Sequence, residues 1–173
     1  PCVTQRRIKV DQATHALDSR NAFKSRHCVD GGKLDYLLRK ASHDVDHDTS
    51  SSVACDMLVK LLLSDAALRD RDLLKADVPN AYPQGQRLGR PKTYMALPTA
   101  FAHWRADDGS ELCIELSTPM WGEGPAGFEW QIELEKTLRE IGWGPAENVP
   151  ACWTYSGKHG DAVCLTIVDD LLF

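Results

Sequence analysis

The chain contains 173 residues, a length that suits one domain or one domain with a small additional lobe. Hydrophobic residues make up 43% and charged residues 26%, which excludes a chain that is disordered, collagen-like or a coiled coil throughout. No apolar run approaches the roughly 20 residues that cross a bilayer, and the charged N-terminal stretch lacks a signal-peptide pattern.

Charge is distributed unevenly along the sequence. The net charge is −5, but residues 1–40 carry +5 and the remainder carries −10. A basic arm joined to an acidic body suits an anionic partner together with metal ions. The alternative is an ordinary solvated surface of mixed charge.

The cysteine pattern indicates a reducing compartment. The six cysteines are scattered, and no two have the CxxC spacing of zinc and redox sites. Scattered cysteines of this kind are typical of buried, reduced thiols. We therefore expect an intracellular protein, in the cytoplasm or the nucleus.

The first half of the chain predicts one helix and several short strands. Residues 41–52 are polar and acidic and predict a surface loop. Apolar residues spaced by three and four predict a helix over 53–69, with Ser51 or Ser52 as its cap. Strands are expected at 73–78, 93–97 and 112–116, with a loop at 79–92 and a turn at 107–109.

The second half predicts a helix followed by a hairpin. A helix is expected over 127–141, because four apolar residues recur at steps of four, four and three: Trp130, Leu134, Leu138 and Ile141. Strands at 152–155 and 162–168 then form the hairpin. Strands and helices do not alternate strictly, so the fold class is α+β.

The most informative polar residues are adjacent aspartates near the end of the chain. Asp169 and Asp170 lie between two apolar runs, where a hairpin turn would place both carboxylates at its tip. An ordinary Asp-Asp turn is the alternative. Asp77 also ends a short apolar strand, and a strand beside the hairpin would let Asp77 and Asp169 share a site. Carboxylates of this kind suit Mg²⁺, and two such ions support phosphoryl transfer.

Several segments in order resemble the reverse transcriptase domain of Ty1/copia-type retrotransposons. The family's first carboxylate motif, L-D-V-x-N-A-F-L-x-G, is similar to residues 76–85, and residues 165–172 resemble Y-V-D-D-L-L. Three further segments resemble the fingers segment, V-Y-M-x-x-P-x-G-F and the third motif: residues 24–26, 93–101 and 120–130. The resemblance covers about residues 20–173.

The resemblance implies the fingers and palm of a polymerase, with an antiparallel palm sheet and helices on one face. Residues 1–52 would form the fingers-like basic arm and loop, and residues 53–173 the palm-like domain. The implied activity is RNA-directed DNA polymerase, by two-metal nucleotidyl transfer to a primer 3′-OH. Expected partners are an RNA or DNA template with primer, deoxynucleoside triphosphates and the remainder of a polyprotein, with no membrane. The last motif ends the sequence, so thumb, connection and nuclease domains are expected to be absent.

The resemblance also implies roles for individual residues. Asp77 and Asp169 would hold two Mg²⁺ ions, with Asp170 close by and the Val78 carbonyl as a further ligand. Tyr82 corresponds to the aromatic residue that excludes the ribose 2′-OH; a packed loop aromatic is the alternative.

The resemblance also implies a role for two basic residues, and the chain differs from the family at one motif position pair. Lys24 and Arg26 would contact the incoming triphosphate, unless they lie on an exposed basic strand face. Gly124-Pro125 replaces the family's Lys-Gln, whose glutamine lines the nucleotide pocket. The alternative function is a catalytically silent, truncated relic that at most binds nucleic acid or metal. An unrelated α+β domain is the third hypothesis.

One further cluster could suggest a metal site. His43 and His47 stand four apart within residues 43–48, HDVDHD. That spacing would place both imidazoles on one helix face. The serine- and aspartate-rich surroundings instead predict a solvated loop.

Overall fold

The computed structural model describes residues 2–8, 23–29, 50–89, 92–97, 101–158 and 160–173, with only the backbone for 2–8 and 23–27. These residues belong to two compact units. Unit 1 comprises Pro1–His47 and Gly89–Gly124, and unit 2 comprises Asp48–Leu88 and Pro125–Phe173. Residues 89–124, which the predicted division at 52/53 assigns to the second part, thus cluster with the first 47 residues.

The elements combine helices with antiparallel strands, which confirms the predicted α+β class. Among the described residues of unit 1 there are four strands: β1 (Cys2–Ile8), β2 (Phe23–Val29), β4 (Thr93–Ala96) and β5 (Cys113–Leu116). The part of unit 2 that the structure describes has three helices and five strands: α1 (Asp56–Arg69), β3 (Lys75–Asp77), α2 (Ala81–Gln84), α3 (Ala126–Glu140), β6 (Gly144–Pro145), β7 (Cys152–Gly157), β8 (Gly160–Ile167) and β9 (Asp170–Leu172).

The described strands of unit 1 form two antiparallel pairs, β1–β2 and β4–β5. The end of β2 is fixed by the Val29 N–H, which donates to the Trp121 carbonyl at 2.7 Å. Gly122, with φ of +92°, allows this approach, because a Cβ there would overlap the Val29 carbonyl. The expected turn at 107–109 is present, closed by the Gly109 N–H donating to the Ala106 carbonyl.

Unit 2 contains one five-stranded antiparallel sheet, in the order β3-β9-β8-β7-β6. Strands β7 and β8 form the predicted hairpin, longer at both strands than the sequence pattern indicates. Strand β9 folds back on β8 and pairs on its other side with β3. The sheet thus brings the segment before residue 78 to the chain's last strand, which is nearly 100 residues later.

Helix α3 supplies three of the seven residues in the core cluster of unit 2. Its Trp130, Leu134 and Leu138 are buried against one face of the sheet, and Ile141, expected on the same stripe, is 60% exposed just after the helix ends. Alternation along the strands puts Trp153, Cys164 and Leu171 on that face. The core cluster comprises Ala81, Trp130, Leu134, Leu138, Trp153, Cys164 and Leu171.

Helix α1 begins three residues later than predicted, and Cys55 rather than a serine precedes it. Neither Ser51 nor Ser52 caps it through a side chain. The segment before it is held instead by the Ala54 N–H, which donates to the Thr166 carbonyl at 3.0 Å. Only Ala66 of the helix is buried.

The sequence pattern also missed two short elements. Residues 81–84, expected within a loop, form the single turn α2, and β6 has only two residues. Among the residues that the structure describes, no helix has the length and apolar character needed to cross a membrane.

Candidate functional site

The site is built where β3 runs beside β9. Their register places Asp77 directly opposite Asp170. Strand alternation turns these two residues to the face opposite Leu171, and therefore away from α3. Asp77 is exposed, and Asp170 is partly exposed. The strand that carries Asp77 therefore lies beside the end of the hairpin, the arrangement that a site shared by Asp77 and Asp169 requires.

Asp169 occupies the two-residue turn between β8 and β9, together with Val168. Its carbonyl accepts the Val78 N–H at 2.8 Å, which extends the β3–β9 ladder by one step. The Asp169 residue is exposed. Only one of the two carboxylates therefore lies in the turn, since Asp170 already begins β9.

The turn at Val168 and Asp169 has an unusual backbone conformation, and it is hydrogen-bonded to a buried side chain. Val168 has φ of +60°, a region that β-branched residues rarely adopt. Its carbonyl accepts the indole N–H of Trp130 at 2.7 Å. Conformations of this kind persist where the surroundings over-determine them. Packing of Val168 against the core cluster and the Trp130 bond supply that constraint.

The carboxylates supply hard oxygen donors beside one lysine. Lys75 Nζ lies 3.0 Å from Asp170 Oδ1, so Asp170 is paired with a cation. Oxygen donors suit Mg²⁺, which commonly takes one or two carboxylates and completes its shell with water and phosphate oxygens. Within the described ranges, no three acidic, histidine or cysteine side chains form a group that could hold a metal ion.

Val78 and Tyr82 both lie against the core cluster. Val78 is half-buried and follows Asp77 directly. Tyr82, on α2, is half-buried, and its hydroxyl would lie 4.0 Å from a Cβ placed on Gly127. The predicted contact of the Tyr82 ring with a sugar stays a prediction.

The predicted triphosphate contacts belong to unit 1. Lys24 and Arg26 lie on β2, where they stand opposite Arg7 and Gln5 of β1. Their side chains lie outside the described residues, and so does the whole of 43–48. The departure at Gly124-Pro125 falls at the start of α3, where Pro125 is the N-terminal cap residue and its carbonyl accepts the Glu129 N–H.

Helix α3 also supports the segment that follows Asp77. The carboxylate of Glu129, a buried residue, accepts the Leu88 N–H at 2.9 Å. Gly85 packs against the backbone of α3, so closely that a Cβ on it would lie 3.1 Å from the backbone nitrogen of Trp130. Sequence analysis missed both supports. The available signal was the family-like glycine at the end of the first carboxylate motif, which marks a close backbone approach.

The core beneath the site holds an inert thiol. Burial raises the pKa of Cys164 to about 12, and nearby Cys152 adds to the shift. Burial also raises the pKa of Cys152. The thiolate is the reactive form, so neither residue is poised as a nucleophile at neutral pH.

Comparisons with family models, curated proteins and solved structures give no match to this chain.

Proposed function

We propose that the chain is an RNA-directed DNA polymerase domain of the kind found in retrotransposon polyproteins. It would extend a primer 3′-OH on an RNA or DNA template. The single observation that carries the proposal is the β3–β9 pairing, which sets Asp77 opposite Asp170 and next to the Asp169 turn. The ordered family-like motifs support the same function.

Asp77 and Asp169 would hold the two Mg²⁺ ions, with the Val78 carbonyl as an additional oxygen donor. When bound, Mg²⁺ would supply Lewis-acid activation of the primer hydroxyl and charge stabilisation at the triphosphate. Asp170 is engaged by Lys75, so we assign it a supporting electrostatic role beside the other two.

The remaining proposed roles concern substrate binding. Lys24 and Arg26 would bind the triphosphate, because cationic side chains stabilise charge that develops on a transferring phosphoryl group. The Tyr82 ring would lie beneath the sugar and exclude a 2′-OH by steric contact. Template contacts would be made to phosphates and backbone shape, with little dependence on sequence.

Primer extension tests the proposal. The purified chain is incubated with poly(rA)/oligo(dT), thymidine triphosphate and Mg²⁺, beside Asp169→Asn and the control Asp161→Asn. Asp161 is an exposed aspartate of the same sheet, on β8. We expect extension by wild type and the control and none by Asp169→Asn. Extension that survives in Asp169→Asn would contradict the assignment.

A second candidate function is a catalytically silent relic that retains nucleic-acid or metal binding. One observation favours it: Gly124-Pro125 replaces the family's Lys-Gln. Absence of extension together with Mn²⁺ binding that requires Asp169 would support this candidate. Primer extension by a variant with Gly124-Pro125 changed to Lys-Gln would show whether this substitution causes the loss of activity.

A further inference from the structure

We infer that Trp130 is the positioning residue that fixes the Asp169 turn against strand β3. This inference rests on the proposed function for its consequence at the metal site. Trp130 acts through the backbone of the turn, to which its indole N–H donates a hydrogen bond at 2.7 Å.

Two successive hydrogen bonds connect the helix to both carboxylate-bearing segments. The Trp130 indole bonds to the Val168 carbonyl, and the next carbonyl, that of Asp169, accepts the Val78 N–H at 2.8 Å. Val78 follows Asp77 in the chain. Together with the β3–β9 ladder, this path holds the end of β3 beside the Asp169 turn, and it ends on one buried indole.

The conformation of Val168 explains why the turn needs this support. A β-branched residue at φ of +60° is unfavourable and relaxes unless its surroundings hold it. The indole bond constrains the carbonyl of that same residue. Its loss would free the peptide that leads directly into Asp169.

Trp130 is itself held in place from two sides. It is only 5% exposed and belongs to the core cluster. The backbone of Gly85 approaches its amide nitrogen, and the neighbouring Glu129 carboxylate accepts the Leu88 N–H. Two adjacent residues of α3 thus support different segments: Trp130 bonds to the Asp169 turn, and Glu129 bonds to the segment after Asp77.

Trp130→Phe tests the inference, because it removes the donor and keeps an aromatic ring in the core. The matched control is Trp153→Phe, which alters a second buried tryptophan of the same cluster, on β7. Amide hydrogen exchange is followed by NMR at Val78, and Mn²⁺ affinity is measured by titration.

In Trp130→Phe we expect exchange at Val78 to accelerate about 3- to 10-fold beyond any change in Trp153→Phe, the size of effect that one hydrogen bond gives. Mn²⁺ affinity should fall by a similar factor in Trp130→Phe alone. Equal exchange at Val78 in the two variants would overturn the inference, and so would Mn²⁺ affinity equal to that of wild type.

Two outcomes separate this inference from the proposed function. If wild type binds no Mn²⁺, the proposed function fails, whereas exchange at Val78 still decides whether Trp130 holds the turn. If Trp130→Phe does not fold, the wild-type indole N–H decides instead. It should exchange at least about tenfold more slowly than that of Trp104, which is 51% exposed. Exchange at the rate of Trp104 would overturn the inference.

Discussion

Helices α1 and α3 are similar in length and lie in the same unit, but they are used differently. Helix α3 buries Trp130, Leu134 and Leu138, whereas α1 buries only Ala66 and leaves Met57 66% and Leu61 58% exposed. The sequence explains the difference. Apolar residues lie on one stripe of α3, but they surround α1, where Leu61, Leu62 and Leu63 are consecutive. Apolar spacing therefore predicts a helix more reliably than it predicts which face is covered.

The comparison matters for function because α3 is the helix that supports the candidate site. Its Glu129 and Trp130 bond to the two segments that flank the carboxylates. Helix α1 is instead fixed to the sheet just before it begins, through Ala54. Changes at Glu129 and Trp130 should therefore affect both stability and the site, other changes beneath α3 should affect mainly stability, and changes along α1 should affect neither strongly.

The largest expected difference is in thiol reactivity. Cys164 lies in the core beneath α3, and Cys55 is exposed at the start of α1. Because the pKa of Cys164 is raised to about 12, about one molecule in 10,000 carries its thiolate at pH 8. We expect iodoacetamide to modify Cys164 at least about 100-fold more slowly than Cys55. Mass spectrometry of timed digests measures this, and similar rates in the folded chain would contradict the core assignment.

Truncation of leucines should separate the two helices next. Leu138 is 3% exposed, so Leu138→Ala should cost about 2–5 kcal/mol of unfolding free energy through lost contacts and a cavity. Leu61→Ala on α1 should change it by less than about 0.5 kcal/mol. Urea unfolding followed by far-UV circular dichroism measures both. A comparable loss in Leu61→Ala would mean that the α1 surface is covered in solution.

A smaller effect is expected where the chain passes close to α3. Gly85→Ala places a Cβ against the backbone of Glu129 and Trp130, which should cost about 1–3 kcal/mol as overpacking. Gly144→Ala is the control, since the nearest atom to its added Cβ is 4.0 Å away. Urea unfolding compares the two variants. Equal effects would show that the close approach to α3 does not contribute.

The smallest effect concerns the surface of α1. Asp65 and Arg69 form an i,i+4 ion pair at 2.7 Å on this helix. Asp65→Ala should lower the unfolding free energy by about 0.3–0.5 kcal/mol at low ionic strength, because exposed pairs of this kind are weak. The difference from the exposed-residue control Asp72→Ala should vanish in 1 M salt. A loss that persists at high salt would indicate a packing role for Asp65.

Local patterns predicted much of unit 2. Helix α3, the β7–β8 hairpin and the α+β class follow from periodicity and turn residues, and these expectations are confirmed. Strand β6 was missed because two residues are too few to show a hydrophobic periodicity. Helix α2 was missed because a single turn with a central proline is typical of a loop. Both are defined by tertiary contacts.

The candidate site was predictable only in part. Asp77 and Asp169 stand out as carboxylates that follow apolar segments, but their relation depends on the β3–β9 pairing, which joins distant parts of the chain. Trp130 was expected in the core on helical spacing. Its bond to Val168 could not be predicted, because that bond depends on the fold of a turn 38 residues away.

Mn²⁺ titration, followed by electron paramagnetic resonance of the free ion, tests most directly whether Asp77 and Asp169 share one site. It compares wild type with Asp77→Asn, Asp169→Asn and the exposed control Asp161→Asn. We predict binding by wild type and the control, and a loss of affinity of at least about tenfold in each of the other two variants. Absence of binding by wild type, or an equal loss in Asp161→Asn, would contradict the account.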